Sequence, residues 1–189
     1  MTQLEQYIHN FLGISYADLK GVVSLFEADT LTKGEFFVKQ GHYCKRLSFI
    51  KEGYIRVYAA TEKKEVTQWI STKDYFITDL ASLIFGQPAR WNIQALTDCS
   101  LYSISEENYK KIGTLVPQWD KLEKQFIAKC FITLEDRVFS FLSMTAEERY
   151  DALFHFNSEL FNQVSLHYLA SMLGMTPETL SRIRKKRSS

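Results

Sequence analysis

Residues 165–186 read SLHYLASMLGMTPETLSRIRKK, two helical segments on either side of a glycine. Leu166, Leu169, Ala170 and Leu173 fall at i, i+3, i+4 and i+7, the spacing of one apolar helix face, and Ser165 just ahead supplies an N-cap oxygen. Gly174 ends that segment, since glycine takes the left-handed conformation at no steric cost. Thr176 and Pro177 open the next as N-cap and first helical residue, where the N–H that proline lacks would have no helical partner. Leu180 and Ile183 turn inward. Thr176, Glu178, Thr179, Ser181 and Arg182 are left outward, with Arg184, Lys185, Lys186 and Arg187 beyond.

Counted from Leu166, alanine stands fifth, glycine ninth, and apolar residues fourth, eighth, tenth, fifteenth and eighteenth, a spacing that resembles a helix-turn-helix. Two steeply crossing helices need a small residue at their contact and a glycine at the corner. On that reading the DNA-binding residues are Ser165, Thr176, Glu178, Thr179, Ser181, Arg182, Arg184, Lys185 and Lys186. Arginine binds guanine bidentately, glutamate accepts from cytosine N4, and lysine suits phosphates. A plain helical hairpin with a solvated basic end has the same spacing, but register and charge together favour DNA.

The charge distribution points the same way. Residues 164–189 hold five Lys/Arg and one Glu, a net of +4 in a chain of net charge +1, which leaves −3 for the remainder. With 189 residues, 46% hydrophobic and 14% aromatic, the chain has ample material for buried cores. No run approaches the ~18 apolar residues of a membrane span, and the polar MTQLEQYIHN start is no signal peptide, so a cytoplasmic protein with no membrane partner is expected. Cys44, Cys99 and Cys130 are odd in number and lack CxxC or Cys/His spacing, so buried free thiols are expected and a metal site is not.

Working back from the C-terminal pair, Thr145 to Glu148 reads as a capping box for a helix to about Phe156, with Asn157 to Val164 as linker. Gln118 to Ser143 contains neither Gly nor Pro and predicts one long helix with two apolar stripes. Trp119, Leu122, Phe126, Cys130 and Thr133 form the first; Ile127, Phe131, Leu134, Val138 and Phe141 form the second. One stripe covers the chain's own body and the other meets a second subunit as a coiled-coil seam does; Trp119, Leu122, Phe126 and Cys130 are taken as that dimer seam. Ser105 caps a short helix through Ile112.

Ahead of it, Glu35–Lys39, Leu47–Ile50, Tyr54–Ala60, Val66–Ile70, Trp91–Leu96 and Leu101–Ile104 are short β-rich runs separated by turn signals, the pattern of a small antiparallel barrel. Residues 4–27 give two helical stripes divided near Gly13, with Ser15 as N-cap of the second. The fold class is therefore α+β: an N-terminal antiparallel β-roll of jelly-roll type flanked by helices (1–116), a long connecting helix (117–143) and a helical C-terminal unit (144–189).

This order resembles the Crp/Fnr family of bacterial transcription regulators over nearly the whole length. KGEFFVKQGHYCKRLSFIKEGYIRVY, with Gly34, Gly41 and Gly53 at turns, looks like the family's cyclic-nucleotide-binding-type β-roll, and MTPETLSRIRKK looks like its recognition helix. The resemblance implies a homodimer on a pseudo-palindromic operator in double-stranded DNA, with Glu178 and Arg182 reading bases, RNA polymerase as a further partner and a small-molecule effector in the roll.

The sequence departs from the family pattern in several places. Nucleotide binders carry Gly-Glu-Leu and later Arg-Ser around the cyclic phosphate, where this chain has Ile77-Thr78-Asp79-Leu80 and Pro88-Ala89-Arg90-Trp91. Asp79 is a shorter acid, the glycine is missing, and Arg90 stands one place out of register, so cyclic AMP is not the expected ligand. Another effector would sit around Thr78, Asp79, Leu80, Arg90 and Trp91. No cysteine precedes Cys44, unlike the N-terminal cluster of the family's iron–sulfur sensors, and His9, His42, His155 and His167 are isolated; no cofactor is expected. Pro177 stands where some members have a contacting arginine, and no wing strands follow the recognition helix. No GxSxG, P-loop or HExxH is present and the paired glutamates sit at helix starts, so enzymatic activity is not expected. The alternative to a regulator is a ligand-binding or protein-interaction module whose helix-turn-helix no longer binds DNA.

Overall fold

The computed structural model describes residues 2–187. Its N-terminal helix α1 (Gln3–Leu12) begins with a reciprocal capping box between Thr2 and Glu5 and ends at Gly13 in the left-handed region. The second helix, α2 (Leu19–Val23), is shorter than its apolar stripe suggested, and Ser15 donates to Asp18 instead of capping it. Among the described residues, eight strands then form two four-stranded antiparallel sheets. The first contains β1 (Glu27–Leu31), β8 (Cys99–Ser105), β3 (Arg46–Glu52) and β6 (Phe76–Ile77), in that order. The second contains β2 (Phe36–Val38), β7 (Asn92–Ala95), β4 (Ile55–Ala60) and β5 (Glu65–Ser71). Leu31, Ile50, Ile77 and Leu101 of the first share one core with Val38, Ile55, Ile93 and Ala95 of the second. The expected small barrel is thus two sheets enclosing a core, with β1 and β6 added.

The other face of the first sheet is covered by helices. Phe49 and Ile104 pack with Tyr7 and Ile8 of α1, with Tyr109 and Ile112 of α4 (Glu106–Leu115), and with Trp119 and Phe126. Trp119 opens α5, which runs unbroken to Ser143. The remaining described residues form α6 (Ala146–Phe156), α7 (Leu160–Gln163), α8 (Leu166–Met172) and α9 (Pro177–Arg187) around a third core. That core includes Ile70 of β5, so the C-terminal helices rest on the edge of the second sheet. The short α3 (Leu80–Phe85) and α7 stand where a cassette and a linker were read.

One irregularity decides which side chains meet the C-terminal helices. Val57 pairs with Trp69 but Tyr58 pairs with Thr67, so Gln68 is an extra residue in β5. Such a bulge reverses the alternation beyond it. Opposite Arg56, Tyr58 and Ala60 the strand therefore presents Ile70, Thr67 and Glu65, where an even ladder would present Gln68 and Val66 to the last two.

Candidate nucleic-acid interface

Helix α9 starts as its sequence requires. Thr176 Oγ1 accepts from the Thr179 N–H at 3.2 Å, and Ser165 Oγ accepts from the Tyr168 N–H ahead of α8. Gly174, between them, has φ +66°. Leu180 and Ile183 are buried against Leu169 and Ala170, fixing the rotation of α9 about its axis. Its opposite surface borders an open concavity of about 550 Å³ lined by Pro177, Glu178, Ser181, Arg182 and Lys185. Glu178, Ser181, Arg182, Arg184 and Lys185 are exposed, and Thr179 is half-buried. The Glu178 carboxyl is held below the usual carboxylate range by its own backbone N–H and by Thr176, as suits a helix N-terminus. It is therefore an ionised acceptor beside a guanidinium one helical turn away.

The basic end is partly engaged within the chain. Lys186 Nζ lies 3.0 Å from Glu147 Oε1, and Arg187 makes a two-point contact with Asp151, both acids being on α6. Sequence reasoning gave Lys186 to phosphate without this partner. Glu147 and Asp151 are one turn apart on α6, but nothing in the chain order places them beside α9.

The structure turns inward the stripe that was expected to meet a second subunit. Trp119 and Phe126 are buried in the chain's own core, where Tyr109 meets Trp119 edge-on and Phe76 meets Phe126. Leu122 is half-buried and lies 3.4 Å from where a β-carbon on Gly13 would sit. Only Cys130 of the expected seam is exposed, which also corrects the expectation that all three thiols are buried. The exposed side carries Ile127, Phe131, Leu134, Val138 and Phe141, 37–58% exposed, at successive intervals of four, three, four and three residues. That is the a/d interval of a two-stranded coiled coil. Ile132, Phe139 and Leu142 widen it on one flank.

Residues 77–91 form a closed local structure. Asp79 is 2% exposed and N-caps α3, its Oδ1 accepting from the Ser82 N–H at 2.9 Å and its Oδ2 from the Arg90 N–H at 2.8 Å. Thr78 Oγ1 donates to the Arg46 carbonyl. The Arg90 guanidinium lies on the outside over Trp91, 5.8 Å from the ring centroid, and Leu80 is 39% exposed. Asp79 and Arg90 are thus adjacent, as the sequence suggested, but joined by a backbone amide. The carboxylate occupies amide donors that an anion would otherwise take. The signal was legible: an aspartate three residues before a serine, an apolar run, then Gly86 in the left-handed region is a capped short helix.

Residues 28–113 match the cyclic nucleotide-binding domain family. No curated protein sequence matches the chain. Among solved structures it is similar to the c-di-GMP responsive global regulator CLP of Xanthomonas campestris, at TM-score 0.70 and 15% identity over 92% of each chain. FixK2 from Bradyrhizobium japonicum gives TM-score 0.71 at 17% identity, over 85% of this chain and 83% of FixK2. The Thermus thermophilus catabolite activator protein gives 0.60 at 19%, over 96% and 86%. At these identities the likeness is one of fold: two antiparallel sheets, a long helix and a C-terminal helical unit, as in Crp/Fnr-type regulators. Among the described residues no helix is long and apolar enough to cross a membrane.

Proposed function

We propose that this protein is a homodimeric, DNA-binding transcription regulator of Crp/Fnr type that does not respond to cyclic AMP. The observation that carries the reading is the outward face of α9, where Glu178, Ser181, Arg182 and Lys185 line one open surface behind a buried Leu180–Ile183 seam. The pair α8–α9 acts as the helix-turn-helix, Arg182 and Glu178 read base edges, and Thr176, Thr179, Arg184 and Lys185 steady the backbone. The coiled-coil interval on α5 supplies the mate: Ile127, Phe131, Leu134 and Val138 form the seam, so that two reading helices face successive major grooves ~34 Å apart.

The Asp79 carboxylate argues against a cyclic nucleotide, because a buried phosphate beside it would face a like charge and find its amides taken. An effector, if one acts, is uncharged or cationic there. Selection of duplexes from a random pool, followed by anisotropy titrations at several salt concentrations, tests the reading; specific binding with a steep salt dependence is expected. The pairing of Lys186 and Arg187 with α6 favours the second reading, a protein-docking unit without DNA affinity, and absence of binding at low salt would select it.

A further inference from the structure

Arg56 is 1% exposed and serves nothing described so far. Its guanidinium carbon lies 4.0 Å from the ring centroid of Tyr58 and 4.0 Å from that of Tyr168. Nε donates to Thr67 Oγ1 at 2.9 Å and Nη1 to Glu65 at 2.6 Å, while Nη2 has no partner among the described residues. Tyr58, Thr67 and Glu65 belong to the sheet; Tyr168 belongs to α8. The bulge at Gln68 brings Thr67 and Glu65 to this face. A buried guanidinium with five donors is costly to leave half-covered, and the sheet alone meets only part of that need.

Two further contacts join the same elements. The Thr67 N–H donates to Ser171 Oγ of α8 at 2.9 Å, which occupies an amide of the edge strand. From α5, Arg137 donates to the Met172 carbonyl and lies over Trp69 of β5.

We propose that Arg56 and Tyr168 form a latch that holds α8, and α9 with it, on strand β5, so that the direction in which α9 points is set by this contact within one chain. Displacing Tyr168 leaves one face of a buried cation bare. The helical pair is therefore either docked or wholly released, a two-state element of the kind a switch requires. The latch is independent of what α9 binds, so its test is made on the free protein and stands apart from the DNA-binding reading.

Hydrogen exchange on the full chain decides it. Tyr168→Leu keeps an apolar side chain but removes the ring, and should lower protection about thirtyfold at α8 and at the Thr67 amide, the equivalent of one desolvated cation–π contact, with β3 and β8 unchanged. Tyr168→Phe, which keeps the ring, should behave as the parent. In an Arg56→Met background Tyr168→Leu should cost no further protection. Equal loss throughout the chain, no loss anywhere, or a full additional loss in the Arg56→Met background overturns the latch. Should Tyr168→Leu fail to fold, Arg56→Met alone is read the same way: loss confined to α8 and the Thr67 amide supports the latch, and uniform or absent loss overturns it.

Discussion

The ring of Phe141 on α5 lies against Gly174, its Cε1 2.7 Å from where a β-carbon on that glycine would sit. The turn before α9 thus rests directly on the long helix, and at φ +66° it also needs glycine's backbone freedom. Gly174→Ala should destabilise the protein by ~1–2 kcal/mol from backbone strain alone, with the clash added. Adding Phe141→Ala should relieve the clash and leave the strain. Thermal denaturation of the single and double variants checks this; additive losses would show that the two residues are not coupled.

The two stripes of α5 predict opposite outcomes for the same kind of change. Phe131→Glu places like charges at the proposed seam and should give a folded monomer, by light scattering and circular dichroism, with reduced DNA affinity. Phe126→Glu buries a charge beside Phe76 and should cost the fold several kcal/mol, of order 3 or more. A Phe131→Glu protein that remains a dimer places the interface elsewhere.

DNA binding should separate the roles on α9. Arg182→Ala should cost about 1–3 kcal/mol and relax preference at one base pair of each half-site. Glu147→Gln should release Lys186 for phosphate, tightening binding to all sequences and steepening the salt slope by about one ion per protomer. Titrations on selected and random duplexes measure both. If Glu147→Gln leaves random-sequence affinity unchanged, Lys186 is not near the backbone.

Calorimetry with cyclic AMP and cyclic GMP should show no saturable heat at micromolar concentration. Asp79→Ala should lower stability by about 0.5–2 kcal/mol, the loss of an N-cap, since it frees the Ser82 and Arg90 amides. Micromolar nucleotide binding by the parent protein would mean that Asp79 moves aside.

The α8–α9 pair was legible because glycine, proline and cap residues each state a backbone requirement at one position. The short strands were legible for a similar reason, in the turn glycines between them. Which stripe of α5 faces inward was not, because Phe126 and Phe131 are chemically alike and the deciding neighbour, Phe76, sits on the two-residue strand β6, too short to carry a period. Nor could the bulge at Gln68 be read: β5 alternates on paper as well with Val66 and Gln68 facing α8 as with Glu65 and Thr67. Arg56, on the face that this register encloses, is the largest fully buried side chain among the described residues.

Helix α5 is held at Phe126 by Phe76 and at Arg137 by the Met172 carbonyl, and between these grips it has no slack. Inserting one residue there would rotate Arg137 and Phe141 by about 100° and shift them about 1.5 Å, carrying both away from the turn at Gly174. Insertions of seven residues would nearly restore the facing but carry both about 10 Å along the axis, away from Met172 and Gly174. The span from Phe126 to Arg137 therefore has one permitted length, and related chains that keep both grips should keep its residue count.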